Sequence, residues 1–382
     1  MTPHLLYKNV RLPRLVATSG APCLTPVYRF AWFVVLVVFP SLFCSARDSI
    51  AWLDKNHDFG LIREVAGPVS ARSHFVNVGS DTISIFSVKP TCGCTTSDFS
   101  DDLIAPGDTA YIGYTFDPAK RPGRFRKTIR VALSDGSTHS IVISGNVLGT
   151  PESLSSLYPV DAGKVRLSDT ILSVPSVTTD HSPLVFLKIY SVSMDSINTQ
   201  LKADHPALCV TATTTKAGPG DVLVYSLDFV GNKYGDFGDV EVPLHLMVDG
   251  EEVKSLLFRT FVLPDQGMLM RRQGDKHPIC LLAPDPVDLG VIDPATTRCI
   301  KREFTITNQG KGELHPLKIY SQSEVITFGK IPAKIKPGKS VRIKIEIDVD
   351  RLAAGPWRFP INVITDDPLH PHLTIPVAGY KK

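Results

Sequence analysis

A Pro-Gly turn, an alternating strand, a short loop, a glycine and a second strand follow one another three times in this chain of 382 residues. The turn glycines are Gly107, Gly220 and Gly338. The second glycines lie 16, 15 and 17 residues further on, at positions 123, 235 and 355. Alternation with a period of two is the mark of a half-buried β-strand. The spacing therefore predicts three copies of one β module.

The predicted module is a small sandwich of two sheets. About seven short strands in roughly 100 residues, with turns every 8 to 12 residues, is the pattern of an immunoglobulin-like domain. The 27 glycines and 30 prolines favour turns, and no amphipathic helix of four turns is apparent. We predict an all-β chain of three tandem immunoglobulin-like β-sandwich modules, at 52–149, 150–263 (the most diverged) and 283–382, with a polar linker at 264–282.

Two short repeats support the duplication. The pentapeptide 187–191, Leu-Lys-Ile-Tyr-Ser, recurs letter for letter at 317–321. An Asn-x-Gly turn occurs at both Asn77 and Asn308. Each pair is predicted to mark equivalent positions in two modules. The strand 341–349 of the third module alternates most regularly, with Val or Ile at every odd position, which predicts one face in a core and one in water.

The first 46 residues have the composition of a targeting segment. Four basic and no acidic residues precede an apolar run of 14 residues at 30–43, which is short for a bilayer span and typical of a signal peptide. Small residues at 44–46 predict cleavage after Ala46, so the chain would be exported. An uncleaved N-terminal anchor is the alternative, and it would be the only link to a membrane. Without this segment, 37 basic residues face 38 acidic ones, which gives no reason to expect a nucleic-acid partner.

One stretch of the first module resembles a known family. The heptapeptide 90–96, Pro-Thr-Cys-Gly-Cys-Thr-Thr, is followed by the Pro-Gly turn and by a closing Gly-Asn-Val at 145–147. In this order the motifs resemble the bacterial domain of unknown function 1573, over residues 59–147. The segments 365–368 and 375–379 resemble the end of abnormal-spindle and hydin type immunoglobulin-like domains. The resemblance implies an exported β-sandwich in the periplasm or cell envelope of a bacterium, and it implies no known reaction.

Five cysteines remain after the predicted cleavage. Cys280 and Cys299 flank the first predicted strand of the third module and could form a disulfide that joins the linker to it. Cys209 is expected to be a buried apolar side chain. An odd number leaves at least one thiol free or paired between molecules.

Cys92 and Cys94 are the main candidates for chemistry. Lys89-Pro90 ends a strand, since proline cannot donate to a β ladder, so the pair is predicted to lie in a loop at one end of the sandwich. It could be a structural turn or disulfide, a redox pair, or part of a soft-metal site. A disulfide across one residue is expected to have an unusually short Cα separation. Because it closes a tiny loop, changing both residues to serine is expected to cost about 1 kcal/mol or less.

A basic hairpin is the second candidate. Arg124, Arg126 and Arg130 share one face of the predicted strand after position 123 and could meet anionic glycan or lipid head groups, or could simply be solvated. The two histidines of the segment 370–372 are expected to lie in a surface turn. No serine nucleophile motif, phosphate-binding glycine loop or carboxylate pair stands out, so no catalytic residue, cofactor or resident metal is predicted.

Two functions follow from this pattern. The first is a non-enzymatic envelope protein whose modules give structural support or bind a protein or a surface polymer. The alternative is a thiol-dependent redox or soft-metal accessory factor that uses Cys92 and Cys94.

Overall fold

The computed structural model describes residues 48–178 and 183–382. The predicted signal or anchor segment at 1–46 lies outside these residues. Most of the described chain is β-strand, so the predicted all-β class is confirmed. Within it are three short α-helices and two 3-10 turns, namely α1 (Pro151–Leu157), α2 (Gly231–Tyr234), α3 (Gln266–Gln273), Glu64–Ala66 and Gly274–Lys276.

The first pair of sheets encloses a core of its own. Its strands are β1 (Ile50–Trp52), β2 (Asn56–Arg63), β3 (Val69–Asn77), β4 (Ile85–Pro90), β5 (Thr95–Phe99), β6 (Thr109–Phe116), β7 (Gly123–Leu133) and β8 (Thr138–Leu148). The sheets have the orders β1-β3-β6-β5 and β2-β8-β7-β4, and β2 runs parallel to β8. The predicted inward face of β6, at Ile112, Tyr114 and Phe116, is almost completely buried.

The second pair of sheets is larger. Its strands are β9 (Val160–Ala162), β10 (Val165–Leu167), β11 (Ile171–Ser173), β12 (Val177–Thr178), β13 (Val185–Ser191), β14 (Ile197–Ala203), β15 (Leu208–Ala212), β16 (Lys216–Ala217), β17 (Val222–Phe229), β18 (Gly238–Val248) and β19 (Glu251–Leu263). The sheets have the orders β15-β17-β13-β10-β9 and β11-β19-β18-β14-β16, with β12 also beside β19. Both β11 and β12 run parallel to β19.

The third pair of sheets repeats the topology of the first. Its strands are β20 (Cys280–Ala283), β21 (Val287–Ile292), β22 (Cys299–Asn308), β23 (Pro316–Tyr320), β24 (Ile326–Phe328), β25 (Ser340–Asp348), β26 (Gly355–Thr365) and β27 (His372–Lys381). The orders β20-β22-β25-β24 and β21-β27-β26-β23 match those of the first pair strand for strand. The predicted inward residues Ile343, Ile345 and Ile347 of β25 are fully buried. Separate folding of each sheet pair stays a prediction.

The asparagine repeat marks truly equivalent positions. The Asn77 side chain donates to the carbonyl oxygens of Asp81 and Ile104, at 2.8 and 2.9 Å. Asn308, at the end of β22, donates in the same way to Gly312 and Ile335, at 2.8 and 2.9 Å. The backbone carbonyls of both accept the turn-glycine N–H at 2.8 Å. In the second pair Ser191 occupies this place, and its buried hydroxyl oxygen has no partner among the described residues.

The other two repeat assignments need correction. The pentapeptide 187–191 lies on β13, beside the strand that follows the Pro-Gly turn, whereas 317–321 begins on β23, which pairs with β26. The two identical pentapeptides therefore occupy strands that are not equivalent in their sandwiches. The second glycine of the middle copy is Gly238, which begins β18 with φ of 91°, like Gly123 and Gly355 at the starts of β7 and β26. Gly235 instead ends α2.

Part of the segment predicted as a linker forms a helix and the start of a strand. Residues 266–273 form α3, whose N-terminus is capped by Asp265, and the third sheet pair begins with β20 at Cys280. β20 was missed because its four residues have little alternation of their own. The first sheet pair likewise begins at Ile50, two residues before the predicted start.

Glu64 joins the first two sheet pairs. Its carboxylate accepts the Thr150 N–H at 2.8 Å, the Ser153 hydroxyl at 2.5 Å and the Lys120 N–H at 2.7 Å, so it caps the start of α1 from the preceding sheet pair. Next to this contact, Tyr190 donates to the Val147 carbonyl at 3.2 Å.

We expect this contact to weaken in acid. Burial opposes ionisation of Glu64, but the hydrogen bonds from Ser153, Thr150 and Lys120 outweigh it and lower its pKa. The stabilisation is therefore complete above the unfolded pKa of about 4.3 and is lost as pH falls through the lower folded value. Glu64→Gln should cost about 1–2 kcal/mol at pH 7 and progressively less as the pH falls below about 4.3, as measured by denaturant unfolding. A difference that does not depend on pH would contradict the role of the charge.

Candidate functional site: the cysteine turn and the basic face

Cys92 and Cys94 are joined by a disulfide in the turn between β4 and β5. The predicted position after Pro90 is confirmed. Their Cα atoms are 5.3 Å apart, within the usual range of about 4.4 to 6.8 Å, so the expected short separation is wrong. One intervening residue leaves room for this distance because successive Cα atoms are about 3.8 Å apart.

The two sulfurs have different surroundings. Cys94 is 7% exposed and belongs to the core of the first sheet pair, whereas Cys92 is half-buried and packs against its edge. The Thr95 hydroxyl lies 3.6 Å from the sulfur of Cys92 and 3.9 Å from that of Cys94. The sequence alone did not single out Thr95.

The burial of Cys94 raises the expected cost of replacing the pair. A serine hydroxyl at position 94 would be buried without an assured partner, which costs about 1–3 kcal/mol. We therefore expect Cys92→Ser with Cys94→Ser to lower the free energy of unfolding by about 1–3 kcal/mol. The matched alanine double variant buries no hydroxyl and should cost less. Denaturant unfolding at neutral pH measures both variants. If the serine and alanine variants lose the same free energy of unfolding, the buried hydroxyl is not the cause of the loss.

Cys280 and Cys299 do not form the disulfide that the sequence suggested. Both thiols are free. Cys280 lies opposite Asn308, and Cys299 is at the other end of β22, nine residues away. At about 3.3 Å per residue this places the cysteines roughly 30 Å apart, far beyond disulfide reach.

The free thiols differ in accessibility. Burial, with smaller contributions from Asp367 and Asp366, raises the pKa of Cys280 to about 12. Cys299 is exposed, and Cys209 is half-buried rather than buried as expected. Among residues 48–178 and 183–382, no cluster of three or more His, Cys, Asp or Glu side chains could hold a metal ion.

Arg124 is part of the contact between the first two sheet pairs rather than of a free basic face. Its Nε donates to Asp221 Oδ1 at 2.7 Å and its second guanidinium nitrogen to Oδ2 at 3.1 Å. Asn146 donates to the same carboxylate at 2.9 Å. Burial opposes ionisation of Asp221, but the bond from Arg124 leads the interactions that lower its pKa. Arg124 is thus already neutralised.

Arg126 and Arg130 remain on the outer face of β7, and the structure adds Lys89 to them. Lys89 lies on β4 directly opposite Arg130. None of the three takes part in an ion pair within the described ranges. We call these three side chains the basic face. Lys89 could not be assigned to it from the sequence because strand pairing alone places it there.

Open cavities lie at both ends of the basic face. One, of about 400 Å³, is lined by Ser87, Lys89 and Arg130 among others. The other, of about 530 Å³, reaches from Arg126 to the second sheet pair, and its lining includes the carboxylates of Asp58 and Asp221. On β8, Ser144 lies opposite Arg126 and Ser140 lies opposite Arg130. Both side chains are short, so no long side chain stands beside either arginine on that strand.

The two histidines of the segment 370–372 have structural partners. His372 lies on β27, bonds to Asn362 at 2.9 Å, and its ring lies 4.6 Å from that of Phe261 on the second sheet pair. His370 is exposed beside the buried Asp367.

Residues 50–147 match the family described as "Protein of unknown function (DUF1573)". The predicted resemblance to this family is therefore confirmed. The DUF1573 match runs from β1 almost to the end of β8 and so contains both the cysteine turn and the basic face. The resemblance of the last sheet pair to abnormal-spindle and hydin domains stays a prediction. No curated protein matches the chain.

Solved structures similar to this chain are distant. A protein of unknown function from Porphyromonas gingivalis W83 is 18% identical, with a TM-score of 0.44, over 57% of this chain and 100% of that one. The periplasmic chaperone SfaE is 10% identical, with a TM-score of 0.22, over 57% of this chain and 100% of its own. The Escherichia coli adhesin FdeC is 12% identical, with a TM-score of 0.23, over 87% and 96%.

Across the described residues, no helix is both long and apolar enough to pass through a membrane.

Proposed function

We propose that this protein is an exported, non-enzymatic binding protein of the bacterial cell envelope that holds an anionic surface polymer on its basic face. The observation that carries the proposal is the alignment of Lys89, Arg126 and Arg130 on one sheet surface, where none of them has an ion-pair partner in the described chain. Export rests on the composition of residues 1–46. The other two sheet pairs would support and present this face.

The spacing of the cations favours a polymer over a small anion. Arg126 and Arg130 are four residues apart on one strand, which corresponds to about 13 Å. Lys89 stands directly opposite Arg130, at about 5 Å between Cβ atoms, a like-charged pair that costs stability in a sheet unless an anion lies close to it. A linear polyanion can satisfy both positions at once.

The surface between the cations suits an extended chain. The side chains of Ser140 and Ser144, opposite the two arginines, are short and uncharged, and the open cavity beside Lys89 and Arg130 lets a polymer continue beyond the sheet. At one end the Arg124–Asp221 pair holds the second sheet pair against β7. The sheet that carries the basic face is therefore held in place before binding, which lowers the entropy cost of binding.

The test is binding of dextran sulfate to the mature protein, with uncharged dextran as the reference. Changing Lys89, Arg126 and Arg130 to Gln should weaken binding at least tenfold, because about 0.5 kcal/mol per cation sums to one factor of ten. The matched control changes three exposed lysines outside the face, Lys202, Lys216 and Lys330, and removes the same charge. That variant should keep most of the affinity.

Two results would refute the proposal. Equal losses in both triple variants would mean that only net charge matters, and an unchanged affinity in the first would exclude the basic face. Binding of an envelope protein that survives loss of all three cations would instead support a protein partner at another surface. N-terminal sequencing of envelope material tests export, with Arg47 as the expected first residue.

A further inference from the structure

The disulfide between Cys92 and Cys94 is open to attack from one side. Gly93, at the top of the turn, is exposed, and apart from its two chain neighbours no described residue has a heavy atom within 4 Å of the position that a Cβ would occupy there. Cys92 is half-buried, while Cys94 is 7% exposed and lies in the core. An incoming thiolate can therefore reach the sulfur of Cys92 much more easily than that of Cys94.

The turn does not depend on the disulfide for its shape. Thr91 N–H donates to the Thr128 carbonyl at 3.0 Å, and Asp117 N–H donates to the Cys94 carbonyl at 3.0 Å. These bonds fix both ends of the turn to neighbouring strands. Since a loop across one residue also gains little from closure, the reduced form should keep the same fold.

Thr95 can stabilise the reduced sulfurs. Its side chain is 5% exposed, and its hydroxyl lies 3.6 Å and 3.9 Å from the two sulfur atoms. A hydroxyl in this place can donate to a thiolate, and a hydrogen bond to the charged form lowers a thiol pKa. The leaving sulfur of Cys94 would otherwise carry its charge in an apolar core.

We propose that Cys92 and Cys94 form an exchangeable redox disulfide that oxidises a dithiol on a partner protein. The partner's thiolate attacks the sulfur of Cys92, the Cys92–Cys94 bond breaks, and its electron pair leaves on the sulfur of Cys94. The second partner thiol then attacks the mixed disulfide as a thiolate and releases Cys92. Two electrons and two protons pass from the partner dithiol to Cys92 and Cys94, and the partner gains a disulfide.

The first test uses dithiothreitol as the dithiol, on the folded protein. Alkylation after reduction, followed by peptide mass spectrometry, should show Cys92 and Cys94 reduced in full while the circular dichroism spectrum stays unchanged. Cys280, buried with a high thiol pKa, should remain unalkylated and report that the fold is intact. A disulfide that resists dithiothreitol until the protein is denatured would overturn the proposal.

The second test identifies the attacked sulfur. Cys94→Ala leaves the thiol of Cys92, and Cys92→Ala leaves that of Cys94, without a buried hydroxyl in either variant. With glutathione disulfide as the probe, the first variant should form a mixed disulfide at least tenfold faster than the second, as located by mass spectrometry. Equal rates would refute the assignment of Cys92.

The third test concerns Thr95 as a positioning residue. Thr95→Val keeps the shape and removes the hydroxyl, so the pH profile of alkylation of the reduced pair should move to higher pH. Thr95→Ser should restore the wild-type profile. An unchanged profile in the valine variant would mean that the hydroxyl does not act on the sulfurs.

Discussion

Replacing Asn77 by alanine should lower the free energy of unfolding by about 2–4 kcal/mol. Its amide is 1% exposed, donates to two backbone carbonyls and accepts the Gly79 N–H at 3.0 Å. Alanine leaves these buried backbone groups without their partner, at about 1–3 kcal/mol for each group that finds no other. Denaturant unfolding followed by circular dichroism would measure the change.

The chain provides its own control for this prediction. Ser191 stands at the same place in the second sheet pair and is fully buried, and its hydroxyl oxygen has no partner in the part of the chain that the structure describes. Ser191→Ala should therefore change stability by less than about 1 kcal/mol. Asn308→Ala should resemble Asn77→Ala but act on the third sheet pair. If the sheet pairs unfold separately, the two asparagine variants will shift different transitions. Equal losses at Asn77 and Ser191 would contradict the role of the amide.

The second large effect is expected at the contact between the second and third sheet pairs. A Cβ on Gly238 would lie 2.6 Å from the hydroxyl oxygen of Tyr320. That hydroxyl donates to Asp239 Oδ2 at 2.6 Å and accepts the Asp239 N–H at 3.0 Å. Gly238→Ala should therefore displace Tyr320, break both bonds and cost about 2–4 kcal/mol in total, including about 1–2 kcal/mol for the positive φ.

Gly250 is a matched control because its φ of 92° is almost that of Gly238, at 91°. Apart from its chain neighbours, no described residue has a heavy atom within 4 Å of the position of a Cβ on Gly250. Gly250→Ala should cost only the backbone strain of a side chain at positive φ, about 1–2 kcal/mol. Amide hydrogen exchange at Asp239 should rise in the Gly238 variant alone. Identical losses in the two variants would show that Tyr320 moves aside without consequence.

Local pattern predicted the strands well wherever one face is buried. In β6 and β25 the apolar residues recur at every second position, and burial of one face is enough to fix which residues point inward. The same logic gave the loop position of the cysteine pair, because Pro90 cannot continue a ladder. It failed for the repeated pentapeptide, since five shared letters do not determine which strand of a sandwich they occupy.

The sequence by itself determined the class of fold, the repeated sandwich pattern and the position of the Cys92–Cys94 turn, because these depend on periodicity and on glycine and proline along a few neighbouring residues. Tertiary structure alone decided which charges are free. Arg124 is neutralised by Asp221, 97 residues away, while Lys89 joins Arg130 through strand pairing. It also separated Cys280 from Cys299 and buried Cys94 more than Cys92. Such contacts join residues that are far apart in the chain, so the pattern of neighbouring residues does not predict them.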